Sequence, residues 1–138
     1  METKKLTPKD IMIGDWVLWK NKPVQIAAVS GIKYSFGQID VTLAYCNDEK
    51  VLESHDIKTI SPVPLTAEVL EKNGWYIPKN SSWWQNNEVD FYIVGYTDGL
   101  FEIYTDGDSE FSCLCCIGDV HELQHLYHIC HIDKEIVL

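Results

Sequence analysis

Between residues 10 and 61, apolar residues come in short runs cut by turn formers, the pattern of a small sheet. Trp16-Val17-Leu18-Trp19 follows the turn pair Gly14-Asp15 and is predicted to be a strand. Asn21-Lys22-Pro23 is the next expected turn, and 24–30 a second strand that Gly31 ends. Over 38–45, Ile39, Val41, Leu43 and Tyr45 alternate with Asp40, Thr42 and Ala44, which predicts a strand with one apolar face. Asn47-Asp48-Glu49-Lys50 reads as a turn, and Val51-Leu52 and 57–60 as short strands. Five short strands with tight connections predict a small SH3-like β-barrel or a strongly bent sheet. The polar residues 1–9 precede it as a flexible tail.

Ser61-Pro62-Val63-Pro64 is the expected boundary, because two prolines fit neither a ladder nor a helix interior. The second unit, 62–138, has a different texture. A short helix is predicted over about 66–73, with Thr66 as N-cap, Leu65 and Leu70 as a hydrophobic staple, Val69 and Leu70 inward, and Gly74 as the stop. Strands are expected at 75–77, 82–85, 89–96, 100–105 and 110–117, with Thr97-Asp98-Gly99 and Asp106-Gly107-Asp108 as hairpin turns. These connections are too short for parallel crossovers, so the strands form an antiparallel meander. A helix over about 119–131 and a last short strand at 136–138 complete an α+β chain, with two helices packed on the meander.

The final helix carries the chain's most suggestive chemistry. Leu123, Leu126, Tyr127 and Cys130 recur at helical spacing and predict an apolar stripe facing the sheet. On that reading His121, His125 and His128 lie on the opposite side, facing water, and Asp119 and Glu122 are spaced as a capping box. The same residues spell His-Glu-x-x-His. His121, His125 and His131 are thus candidate zinc ligands, with Glu122 as the base of a zinc-dependent hydrolase. Three features argue against it. The long form of that motif has glycine where His128 stands, so a continuing helix carries His131 past the metal. The only methionines are Met1 and Met12, so no downstream methionine turn exists, and seven residues after His131 are too few to finish a cleft. The helix is expected to be a lid on the sheet, with no catalytic residues, metal or cofactor.

Composition narrows the function further. The 138 residues are 46% hydrophobic and 12% aromatic, enough for a packed core. Acidic residues number 21 against 11 basic ones, a formal charge of −10. That disfavours nucleic-acid and anionic-membrane binding, which need basic patches. It suits a protein partner with a basic face, or an acidic nucleic-acid mimic that inhibits a host defence protein. Five cysteines, three of them crowded at Cys113, Cys115 and Cys116, read as reduced thiols of a cytoplasmic protein. Phe111, Cys113, Cys115 and Ile117 alternate, so these thiols are expected in the core. Trp83 and Trp84 are adjacent on a strand and therefore point to opposite faces. One belongs to the core, and the other is the candidate binding residue. Trp16 and Trp19 are expected in barrel or interdomain core, and His55 with Asp56 has no assigned role.

Three stretches carry a resemblance. They are Ile13-Gly14-Asp15-Trp16-Val17; Ile60-Ser61-Pro62-Val63-Pro64-Leu65-Thr66-Ala67-Glu68-Val69-Leu70-Glu71-Lys72-Asn73-Gly74-Trp75; and Val120-His121-Glu122-Leu123-Gln124-His125-Leu126-Tyr127. Together they resemble a family of small uncharacterised proteins encoded in prophages, phages and mobile elements of gut bacteria. That family has an IG-N/D-x-V opening, a PIPLTEEWLLKFGF centre and a VHxLQNLYF-type ending. The likeness runs in order over most of the chain. In the family pattern the position of His125 is usually Asn, which removes a ligand from the metal reading and leaves Leu123, Gln124, Leu126 and Tyr127 as a packed helix. The resemblance implies a fold and a genetic setting and carries no activity. The expected function is therefore a non-enzymatic accessory protein of a mobile element that binds another protein, a homodimer being one form of this.

Overall fold

The structure is a computed structural model and describes residues 6–7, 10–30, 40–44, 52–95, 99–106 and 111–138. It is α+β, with two antiparallel sheets and two helices. The chain divides into two compact units, Met1–Val63 and Pro64–Leu138. Of the expected tail, Leu6 and Thr7 are described and are not loose, since Leu6 is buried and Thr7 is hydrogen-bonded to Asp10; the rest of the tail, the turns at 47–50, 97–98 and 107–108 and the end of the second strand at Gly31 lie outside the described residues.

The first unit is one sheet of β1 (Trp16–Trp19), β2 (Lys22–Ser30), β3 (Asp40–Ala44), β4 (Leu52–Asp56) and β5 (Ile60–Pro62), ordered β4-β3-β2-β1-β5. β2 is long, and its register to β3 shifts between Ile26 and Ala28. Its first half pairs with β1 and its second with β3. A bulge at such a point lets one strand bend between two neighbours. Among the described residues no pairing joins β4 to β5, so the sheet is open rather than a closed barrel. Leu6, Ile11, Val17, Val24, Ile26, Ile57 and Ile60 form its core, with Trp19 packed against them, and Trp16 is buried as well.

Three expectations for this unit need correction. The first hairpin turns at Lys20-Asn21, both with positive φ, so that Trp19 pairs with Lys22 and Pro23 lies inside β2. A two-residue loop makes Trp19/Lys22 the hydrogen-bonded pair and leaves Pro23 at a position where β1 needs no N–H. The expected strand at 57–60 is a 3-10 turn over Ile57–Thr59 followed by β5, while β4 runs through the polar stretch Leu-Glu-Ser-His-Asp. Pro62 sits in a ladder after all, opposite Val17, where β5, among the described residues, has one neighbour.

The second unit begins with α1 (Ala67–Lys72). The Thr66 side chain accepts from the Val69 N–H at 3.3 Å, and Leu65 and Leu70 are both buried. Gly74 takes φ 88° and donates to the Glu71 carbonyl, while the Trp75 N–H donates to Leu70 at 3.0 Å. This is a Schellman stop that turns buried Trp75 back over Leu70. The meander follows: β6 (Trp83–Trp84), β7 (Phe91–Gly95), β8 (Phe101–Asp106) and β9 (Phe111–Ile117), in sequence order. The expected strand at 75–77 is reduced to one bridge between Tyr76 and Gln85. α2 (Val120–Ile129) closes the unit.

The core of this unit lies between α2 and one face of the sheet. Trp84, Ile93 and Ile103 stand opposite one another across three strands, and all are buried. Phe91 meets both Trp75 (ring centroids 5.6 Å apart) and Tyr127 (6.3 Å). The Trp75 indole N–H donates to the Tyr127 hydroxyl at 2.8 Å, so the one polar atom each ring brings into the core is paired. Residues 136–138 are not a strand. Instead the Asn73 side chain holds the backbone of Val137 at both ends, donating to its carbonyl and accepting from its N–H at 2.8 Å each. A carboxamide has the donor and acceptor of a peptide group, so one side chain replaces a ladder, and Ile136 beside it is buried.

Candidate functional site

α2 differs from expectation in how it is rotated. Its buried residues are Val120, His121, Leu123 and Tyr127, while Leu126 is half-buried and Cys130 exposed. The centre of this buried set lies roughly 60° around the helix from that of Leu123, Leu126, Tyr127 and Cys130, at about 100° per residue. His121 is only 1% exposed, where a water-facing position was expected. His125 is half-buried and set edge-on to it, ring centroids 5.6 Å apart, and His128 and His131 are exposed.

The ends of α2 depart from the motif as well. Asp119 is N-cap by backbone conformation but makes no side-chain cap hydrogen bond. Glu122 instead accepts from the Gly118 N–H at 3.1 Å, so its carboxylate serves the helix start. The helix does not continue through His131. It ends in a second Schellman stop, with His131 at φ 56° donating to His128 and Ile132 donating to Tyr127 at 2.8 Å. Among the described residues no group of three His, Cys, Asp or Glu side chains converges as a metal site.

The other face of the meander is chemically richer. Trp84 is the core tryptophan and Trp83 the half-buried one. Away from the helix, the register aligns Trp83, Val94, Glu102 and Cys116 in one row and Tyr92, Tyr104 and Cys113 in the next. The Trp83 ring lies 5.9 Å from Tyr92, near edge-on, and reaches across β7 to Tyr104 at 5.1 Å. The Tyr104 hydroxyl donates to the Glu102 carboxylate. That bond, with the adjacent negative charge, pushes the phenol from its ordinary 10.0 up to about 12. Beside Trp83 and Tyr92 is a hollow of about 240 Å³, completed by Ser81 and Gln85. The Trp83 N–H donates to Ser81 Oγ, and the Tyr76–Gln85 bridge fixes the rim. Adjacent apolar and hydrogen-bonding groups in one concavity are what a recognition site requires.

The cysteines also lie where alternation did not put them. The β8–β9 register shifts at Ile103/Tyr104, pairing Ile103 with Cys115 but Tyr104 with Cys113. Leu114 is thus the extra residue of a bulge and is 58% exposed. One inserted residue reverses the faces on either side of it. Cys113 and Cys116 therefore both lie on the outer, exposed face, and Cys115 is half-buried. Burial pushes the Cys115 thiol up.

Comparison with family models, with curated proteins and with solved structures gives no match. Among the described residues no helix is long and apolar enough to cross a membrane.

Proposed function

We propose that this chain is a non-enzymatic binding module that recognises a protein partner through the outer face of its second sheet. One observation carries the reading. Trp83 stays half-buried against Tyr92 and Tyr104 and walls a hollow, on the face that no helix of its unit uses. Aromatic side chains set in a concavity are the usual anchors of protein recognition. The partner we infer presents a basic side chain to this face. The chain's −10 charge attracts such a partner, Glu102 lies in the Trp83 row, and the Trp83 ring offers a cation–π surface.

The setting we infer is the cytoplasm, as an accessory protein of a phage or mobile element. It is supported by the resemblance of the three stretches named above and by the free thiols. We also infer that the first unit is SH3-like. What supports this is the long bent β2 shared by two neighbours, the pairing of β1 with the last strand, and the 3-10 turn just before that strand.

Affinity capture with paired baits tests the reading. The expected result is a basic protein retained by the wild-type chain and lost with folded Trp83→Ala and Tyr92→Ala, yet kept by Ile129→Ser on exposed α2 surface. Retention that survives Trp83→Ala overturns it. A self-associated species that Trp83→Ala dissolves makes the partner a second copy of this chain.

A further inference from the structure

The bulge in β9 brings two exposed thiols onto one face. Cys113 stands opposite Tyr104 and Cys116 opposite Glu102, and those two β8 residues are two apart on the same face. Positions two rises apart along a strand are roughly 6.7 Å from Cα to Cα. That lies within the span of about 4.4–6.8 Å that a disulfide bridges. Both side chains stand on this one face, and both are exposed. The Cys113 thiol also donates to the Cys115 carbonyl at 3.7 Å. An ordinary strand places consecutive same-face residues at i and i+2. Here the pair is i and i+3, and exposed Leu114 gives the backbone between them slack to adjust.

We propose that Cys113 and Cys116 form a solvent-facing dithiol that closes to an intrastrand disulfide by exchange with a low-molecular-weight disulfide. One thiol of the pair loses its proton to solvent, and its thiolate attacks a sulfur of the small disulfide. That S–S bond breaks and one small thiolate leaves, giving a mixed disulfide on the protein. The second thiol of the pair, deprotonated in turn, attacks the protein sulfur of the mixed disulfide and expels the other small thiolate. Two protein thiols are oxidised, and the small disulfide is reduced to two thiols. Cys115 is outside the pair because its side chain points to the covered face, opposite Ile103. Partial loss of hydration beside its neighbours, with the adjacent Cys113 and Glu102, pushes the Cys116 thiol up, so exchange speeds up as pH rises above neutrality.

The site adjoins Tyr104 and Glu102, so closure occurs on the face proposed for partner binding. The chemistry does not depend on that reading. The test uses the full chain, incubated with oxidised glutathione at mildly alkaline pH, quenched with acid and analysed by mass spectrometry with non-reducing peptide mapping. The expected product is lighter by about 2 Da, the two thiol hydrogens, with its bond between Cys113 and Cys116. Cys115→Ser gives the same product, whereas Cys116→Ser stops at a stable glutathione adduct on Cys113. Unchanged mass, persistent adducts on the wild-type chain, or a bond mapped to any other pair overturns the proposal.

Discussion

The two faces of the β6–β9 sheet are built from the same strands and differ in what completes them. On the covered face Trp84, Ile93 and Ile103 are buried, and α2 closes over them with Tyr127, whose hydroxyl is matched by the Trp75 indole. On the outer face Trp83, Tyr92 and Tyr104 use one another as cover, and their polar partner is the Glu102 carboxylate. The first arrangement removes apolar area from water and is worth stability. The second leaves aromatic edges, a hollow and two thiols in reach of solvent, so it contributes little to the fold and much to what the surface can do. Trp83 and Trp84, neighbours in sequence, thus fall on opposite sides of that division.

The sharpest way to break the comparison is to truncate each tryptophan in turn. Trp84→Ala is expected to cost about 3–5 kcal/mol, the range for a large buried aromatic. Trp83→Ala is expected to cost about 1 kcal/mol, reflecting its smaller burial. Urea unfolding of the two variants measures the gap, and equal losses would mean that the outer face is a second core. A smaller effect is expected from Tyr127→Phe, which strands the buried Trp75 N–H at a cost of about 1–2 kcal/mol by the same measurement.

The smallest effect is electrostatic and belongs to the outer face. Tyr104 holds its proton more tightly in the folded chain, with a pKa of about 12 against an ordinary 10.0. The unfolded chain therefore loses this proton first as pH rises. The contribution of the Tyr104–Glu102 bond is complete below pH 10.0 and is lost as pH climbs through about 12. In Glu102→Gln the accepting charge is gone, and one tyrosine should ionise earlier in a spectrophotometric titration. An unchanged titration would show that the carboxylate does not hold the phenol.

Local chemistry made much of this legible in the sequence. Thr66, Leu65, Leu70 and Gly74 mark both ends of α1, and every one of those marks is used. The sites that differ are those where one residue changes a phase. The alternation Phe111, Cys113, Cys115, Ile117 assumed an unbroken period of two, and the bulge at Leu114 moves Cys113 to the other side. The α2 stripe was drawn from Leu123 onward. The buried face begins a turn earlier, at Val120, and includes His121. The strand β4 is too polar for any hydrophobic period to reveal. The Asn73–Val137 clasp joins positions too far apart for a local pattern to announce. Of the site itself, Trp83 was visible as one of an adjacent pair. Tyr92, Tyr104 and Glu102 join it only once the register is known.

That clasp also sets a timetable. The sheet face bearing Phe91, Ile93 and Ile103 is synthesised before α2, and α2 before Ile136 and Val137. While the chain is still being made, the sheet has its apolar face and no cover, a state in which unpaired surface invites aggregation. The last stage is the arrival of the Val137 backbone at a side chain 64 positions upstream. The clasp that completes the second unit can thus close only after residue 137 has left the ribosome.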